Sequence, residues 1–518
     1  MIAALALAFV PLQDRAAVSG SPAERTGTSF PDLSAAIESA IAQAGDNRAE
    51  LQRYLAHCRD SGDPHLAAAA EFVVANMPGH GFIEFELRDS RGEPHAFDAL
   101  RHANLGDAQA NWDALERDYG PVEFVRSRFD ADLEHATAAF LVEQTEFALR
   151  AWRERPWARA IPFDVFCQWI LPYRGSNEPL EAWRKPLYER ASDPALGILD
   201  SADIREAAAR VRADVDKRIG FNDLYYLHPT DQSYGQMCAS RQGRCEDITN
   251  FAGYALRANA IPYAADYTPW WADRDNNHAW EVVLDASGRG NASLSNRAAK
   301  VYRKTFARQP NSILALRTER DSVPRWLDGD HYADVTEQYV ATSRIELKLD
   351  VDPSAPQGIA YLCVFNGGEW RPIAWANAAS GLATFDRMGR DVAYLPAWHV
   401  AERVVPAGLP FVLGKDGAVR ELRPDDAHAL ALEVTSVRPA TPDADSKRDL
   451  PLLRVEGGKS YELLVCAGEW RSVGRIAADQ ASVRFDKVPS NGLYWLVEQG
   501  SRKLERIFTL QGGKQVWY

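Results

Sequence analysis

The chain has 518 residues, with 59 basic against 72 acidic side chains and a formal net charge of −13. That balance, with no dense basic run, argues against a nucleic-acid partner, and no stretch reaches the ~20 apolar residues of a membrane-spanning helix. At ~150 residues per domain the length accommodates about three to four domains, each large enough to bury a core.

Ile2 to Leu12 form an apolar run too short to cross a bilayer. It resembles the apolar core of a secretory signal, although no Lys or Arg precedes it. Residues 1–20 are therefore read as an N-terminal apolar segment. The expectation is export, to the periplasm, cell surface or medium, with the cytoplasm the alternative if the run is not a signal.

Residues 21–215 are rich in Ala, Leu, Arg and Glu and read as an α-helical domain. Leu33, Ile37 and Ile41 share one helical face, as do Leu51 and Leu55. Asp63 and Pro64 make a cap and first-turn pair for the helix through HLAAAAEFVVANM, which Pro78 and Gly79 end. Leu133, Phe140, Leu141 and Trp152 mark a helix near 132–153. The segment Phe166 to Arg184 is dense in aromatics; Trp169, Tyr173 and Trp183 are read as glue between this domain and the next, with a cleft lining the alternative. A last helix, SADIREAAARVRADVDKRIG, ends near Gly220.

The stretch from Gln242 to Asp285, QGRCEDITNFAGYALRANAIPYAADYTPWWADRDNNHAWEVVLD, carries the chemistry. Gly243 breaks the chain before Cys245. Ile248, Phe251, Ala252, Ala255 and Leu256 then recur at helical spacing until Pro262 stops the helix. Cys245 is thus expected at a helix N-terminus, where unpaired amides favour thiolate over thiol. After a strand YAADY, His278 opens an alternating segment in which His278, Trp280, Val282 and Leu284 share a face. A cysteine on a helix and a histidine on a sheet face can meet there, as thiol-based acyl transfer requires.

GRCED, a helix closing on IP, and HAW at this distance together resemble the transglutaminase-like superfamily of papain-type thiol enzymes. The motif covers about a tenth of the chain. The resemblance implies an α+β catalytic domain over residues 216–343, Cys245 as nucleophile and His278 as base. It also implies a third residue, Asp or Asn, that orients the imidazole. Asp285, Asn291 and Asn296 are the candidates. Asp285 has the opposite strand parity and suits a hairpin turn around Ser287 and Gly288, so Asn296 is favoured, asparagine being adequate for the role. The aromatic segment before the domain is similar to a region of some bacterial transglutaminase-like proteins.

A lone free cysteine is usually inert packing and a lone histidine on an apolar face a satisfied core residue. It is the set, with its spacing, that carries the reading. Attack on an amide needs oxyanion donors; the Cys245 amide supplies one, and Gln236 is chosen over Gln232 and Gln242 for the second. Trp270 and Trp271, between nucleophile and base, are candidate substrate-binding walls. Asp266, Asp273, Arg274 and Asp275 read as a solvated loop.

Cys58, Cys167, Cys238, Cys245, Cys363 and Cys466 show no metal-ligand or disulfide spacing, with Cys238 the nearest potential partner for Cys245. Zinc-protease, P-loop, EF-hand and serine-hydrolase patterns are absent, so no metal or cofactor is expected.

From about 344 the pattern changes to short alternating strands. Tyr361 matches Tyr461, Glu369–Trp370–Arg371 match Glu469–Trp470–Arg471, and Tyr394 matches Tyr494, all at an offset of 100 residues. Two all-β sandwich repeats are expected, 344–440 and 441–518, joined through Arg438 to Leu450 and serving as accessory modules of unknown ligand. The whole reads as a multidomain thiol enzyme forming a thioester at Cys245. Hydrolysis, protease- or amidase-like, is preferred over cross-linking, on a peptide or protein substrate that includes cell-wall or glycan-linked forms. The alternative is a non-catalytic surface scaffold binding peptide or glycan.

Overall fold

A computed structural model describes residues 33–518 apart from 291–293, 295, 320, 351–357, 442–448 and 502–503. The apolar run Ile2 to Leu12 and Asn291 lie outside the described residues, as does most of the Arg438 to Leu450 boundary. No helix among the described residues is long and apolar enough to cross a membrane.

The helical elements form where the apolar spacing places them. The helix Pro64–Asn76 begins at Asp63, whose carboxylate accepts from the His65 and Leu66 amides. The expected helix near 132–153 is split into Asp132–His135 and Ala138–Glu154. Thr137 caps the second piece by accepting from the Phe140 amide. The SADIREAAAR segment gives the helix Ile204–Arg218.

The N-terminal region is not wholly helical. Gly81–Asp89 and Val122–Ala131 pair antiparallel, with Pro94–His95 on the other edge of the first strand, and the helix Leu105–Tyr119 spans the connection. In FIEFEL the period is two rather than 3.6, a short signal inside an Ala- and Glu-rich stretch whose composition favours helix.

The aromatic segment does act as glue. Trp183 stacks on Tyr254 of the Cys245 helix, centroids 4.7 Å apart and planes within 20°, and its indole donates to the Tyr173 carbonyl at 2.9 Å. The N-terminal helices and the helix Cys245–Ala258 consequently share one continuous core, in which Cys167 is also buried.

The central four-stranded sheet runs in the order His278–Val283, Tyr263–Thr268, Tyr302–Lys304, Tyr332–Asp334, all antiparallel. The Cys245 helix packs on one face of it, against Tyr263, Ala265 and Val283. Gly253 permits the contact: a Cβ there would sit 2.4 Å from the Tyr263 ring. Ala264, Val282 and Leu284 pack together on the opposite face.

Beyond residue 341 the chain is rich in antiparallel strands, including an eight-stranded sheet and a five-stranded sheet. The hairpin Ile359–Asn366 with Glu369–Ala379, and the hairpin Ser460–Ala467 with Glu469–Ala477, each carry one register shift, between Leu362 and Cys363 and between Leu463 and Leu464. Trp370 and Trp470 stack at 6.3 Å with planes 11° apart, in a core cluster that takes side chains from both hairpins.

Candidate active site

Gly243 lets the chain enter the Cys245 helix tightly, since a Cβ there would lie 2.5 Å from that of Asp247. Asp247 anchors the entry: its carboxylate accepts from the amides of Arg244 (3.0 Å) and Gln232 (3.0 Å). Cys245 is the first residue of the helix, so its own amide has no intrahelical acceptor. His278 opens its strand directly opposite Thr268.

The two residues line one cleft of about 380 Å³. The backbone of Ala279, next to His278, favours the Cys245 thiolate, and Thr249 on the same helix donates to the Ala279 carbonyl at 3.5 Å. Thus helix tip and strand head are stitched together at the residue beside the histidine. Trp271 and Trp280 run nearly parallel to the imidazole, at 6.1 and 5.4 Å between centroids. Phe221 and Tyr226, both exposed, complete the aromatic walls.

The electrostatics run against the expectation of a ready thiolate. Burial, reinforced by the charge of Glu246 and by a hydrogen bond from the sulfur to its carboxylate at 3.1 Å, pushes the Cys245 thiol up to about 12. The Ala279 backbone and the Arg244 guanidinium pull the other way and are outweighed. Glu281, at the cleft edge, has its carboxyl raised by burial and forms an ion pair with Arg212.

Among the other sequence candidates, Trp271 is 3 % exposed and in the cleft, whereas Trp270 faces a different cavity beneath the guanidinium of Arg371. Gln236 is spent on a capping box: its side chain accepts from the Ser233 amide at 2.8 Å while its own amide donates to Ser233. Gln232 and Gln242 are also engaged elsewhere, with Ser240 and Asn222, and none of the three lines the cleft. Asp285 is a turn residue, accepting from the Ser287 amide and hydroxyl and from the Arg289 amide. Asn296 is 4 % exposed, and neither its carboxamide oxygen nor its nitrogen has a hydrogen-bond partner. Leu284 bridges Gly290. Further along, Ala298 bridges Trp271 and the Arg297 carbonyl accepts from the Ala272 amide, so Asn296 precedes a segment that runs beside the Trp271 to Asp273 loop, and it does not itself line the cleft. Cys238 is an exposed free thiol, not a partner of Cys245.

Sequence reasoning missed the supports of the site. Asp266, expected in a solvated loop, is fully buried and holds Arg303 through two bonds of 2.7 and 2.8 Å. Tyr339 donates to the same carboxylate at 2.5 Å and receives the Trp280 indole at 3.2 Å. The loop between the two central strands is likewise clamped. Asn366 donates to the carbonyls of Trp271, Arg274 and Asn276 and accepts from the Asn276 amide. Arg506, fully buried, donates to Ala272, Phe365 and Tyr518 carbonyls and reaches Asp275 at 3.3 Å. Both come from the strand-rich C-terminal region. No local pattern flags an asparagine or arginine for a partner some 90 or 230 residues away.

Residues 196–290 match the family model of the transglutaminase-like superfamily, so the chain carries a domain of that superfamily, one of papain-like thiol enzymes. The match takes in both Cys245 and His278 and ends before Asn296. No curated protein matches the chain.

Proposed function

We propose that the protein is a thiol hydrolase of amide bonds in peptides or proteins. His278 takes the thiol proton, and the sulfur attacks the carbonyl carbon. The amine then leaves with that proton, and water cleaves the resulting thioester to a carboxylic acid and free thiol. The observation that carries this reading is the shared cleft: Cys245 at a helix tip and His278 at a strand head border one cavity walled by Trp271 and Trp280. Asn296 is read as the residue that orients the imidazole. Its burial, its unpaired carboxamide and its position two residues before Ala298, which bridges the cleft residue Trp271, support that role. The Cys245 amide is one oxyanion donor; Gln236 is withdrawn as the second because its side chain caps a helix. The C-terminal strands are read as two copies of one accessory module, which here brace the cleft loop.

The test is a peptide library incubated with wild type and Cys245→Ala, with mass spectrometry scoring new carboxylates against incorporated amines. Carboxylate products that vanish in the variant are expected; activity surviving in Cys245→Ala rejects the mechanism.

One observation favours a second reading, a non-catalytic scaffold. The thiol is held protonated by burial and by Glu246 in the unliganded cleft. That reading requires Cys245 to resist alkylation at neutral pH.

A further inference from the structure

The catalytic cleft sits at the first residue of the Cys245 helix. At its far end lies a separate cavity of about 480 Å³, bordered by Arg257 in the last helical turn. Twelve residues separate Cys245 from Arg257, a rise of about 18 Å at 1.5 Å per residue. The cavity is lined by five cations, Arg174, which is paired with Asp132, and Arg126, Arg257, Lys304 and Arg325, and by the rings of Tyr267 and Trp326.

In a chain carrying 13 net negative charges, such a cluster would be expected to form ion pairs with carboxylates, yet each nearby carboxylate has its direct partner elsewhere, Asp231 and Glu178 acting on Lys304 and Arg257 only through space. Asp132 pairs with Arg174 at 2.5 Å. Glu178 accepts from the amides of Gly175 and Ser176, each at 2.7 Å, and lies 3.8 Å from Arg174. Asp231 is held by Arg244 at 2.5 Å. Asp328, on the rim, pairs with Arg317 at 2.7 Å.

The four cations other than Arg174 differ in exposure: Arg126 and Arg325 are exposed, Lys304 is half-buried and Arg257 is buried. Arg257 is 6 % exposed, and among the described residues its guanidinium donates to the carbonyls of Trp169 (3.3 Å) and Arg174 (2.6 Å). The Lys304 ammonium donates to the Ser176 hydroxyl at 2.5 Å. Among the described residues, none of the four cations forms an ion pair with a carboxylate. A buried unpaired charge is expensive, and burial lowers the affinity of the Arg257 guanidinium for its proton. The helix C-terminus favours a cation at Arg257, but that field fades within a turn and does not account for Arg126, Lys304 or Arg325, which come from other elements.

We propose that this cavity is a binding site for a small molecule with an oxyanion head, a phosphate or a carboxylate, seated between Lys304, Arg257, Arg126 and Arg325. Tyr267 and Trp326 flank the remainder of the ligand. The proposal stands independently of the chemistry assigned to Cys245.

Calorimetry on the full chain with inorganic pyrophosphate and with citrate, at matched ionic strength, tests it. Saturable binding of one or both is expected, and which one binds identifies the head group. Lys304→Gln and, separately, the exposed-site variant Arg126→Gln should each weaken it at least tenfold. Arg344→Gln, a surface change outside the cavity, should leave it untouched. Absence of saturable binding by either anion overturns the proposal, as does wild-type affinity in both Lys304→Gln and Arg126→Gln.

Discussion

The sulfur of Cys245 lies 3.1 Å from the carboxylate of its neighbour Glu246 and donates to it, while Arg244 reaches the same carboxylate at 3.4 Å. A nucleophile and an adjacent acceptor of like final charge oppose ionisation. Because the thiol is raised to about 12, thiolate is scarce at neutral pH and grows as pH rises.

Glu246→Gln removes the repulsion and should lower the thiol's proton affinity. Each unit of decrease multiplies the thiolate fraction at pH 8 by about ten. Alkylation by iodoacetamide, followed against pH, should therefore speed up by about tenfold at pH 8 and its profile should move to lower pH. An unchanged or slower profile would show that burial alone governs the thiol.

Asn296 offers a separation of stability from activity. A buried carboxamide without partners costs about 1–3 kcal/mol, so Asn296→Ala should leave thermal stability unchanged or improved. The proposed orienting role requires turnover to fall at least tenfold with KM little altered. Loss of stability together with unaltered turnover would make Asn296 a packing residue.

The chain of contacts Arg303–Asp266–Tyr339–Trp280 ends on the ring that flanks His278. Asp266→Ala strands the buried Arg303 charge and should cost about 3–5 kcal/mol by urea denaturation. Tyr339→Phe removes one hydroxyl, costs about 1 kcal/mol, and should lower turnover by freeing Trp280. Full activity in Tyr339→Phe would remove this network from the site's support.

The C-terminal strands reach the cleft through Asn366 and Arg506. Asn366→Ala leaves the Trp271, Arg274 and Asn276 carbonyls short of a donor and should cost about 2 kcal/mol. Hydrogen exchange should rise at the Trp271 and Asn276 amides, which bond to the Asn276 carbonyl and the Asn366 carboxamide. Exchange unchanged at both positions would show that the loop holds itself.

Much of this was legible in the sequence because it is local. The cap at Asp63, the helix from Cys245 to Ala258 and the strand opened by His278 each follow from periodicity and punctuation within a dozen residues. The cleft was legible because a single strand, Tyr263–Thr268, separates helix and strand along the chain. The burial of Asp266, the clamp by Asn366 and Arg506, and the capture of Gln236 by Ser233 were not. Each depends on a partner that only the folded chain brings near, or on a competing local bond that composition does not weigh. The thiolate expectation failed for a related reason: the helix-end field is readable from sequence, whereas burial of the sulfur is not.

The most direct measurement is site-resolved thiol labelling by an electrophilic peptide probe at pH 7.5, in a Cys238→Ser background that removes the exposed competing thiol. The account expects the label on Cys245 and a fall of at least tenfold in labelling rate in His278→Gln. A Cys245 that stays unlabelled, or one labelled equally fast without the imidazole, would contradict it.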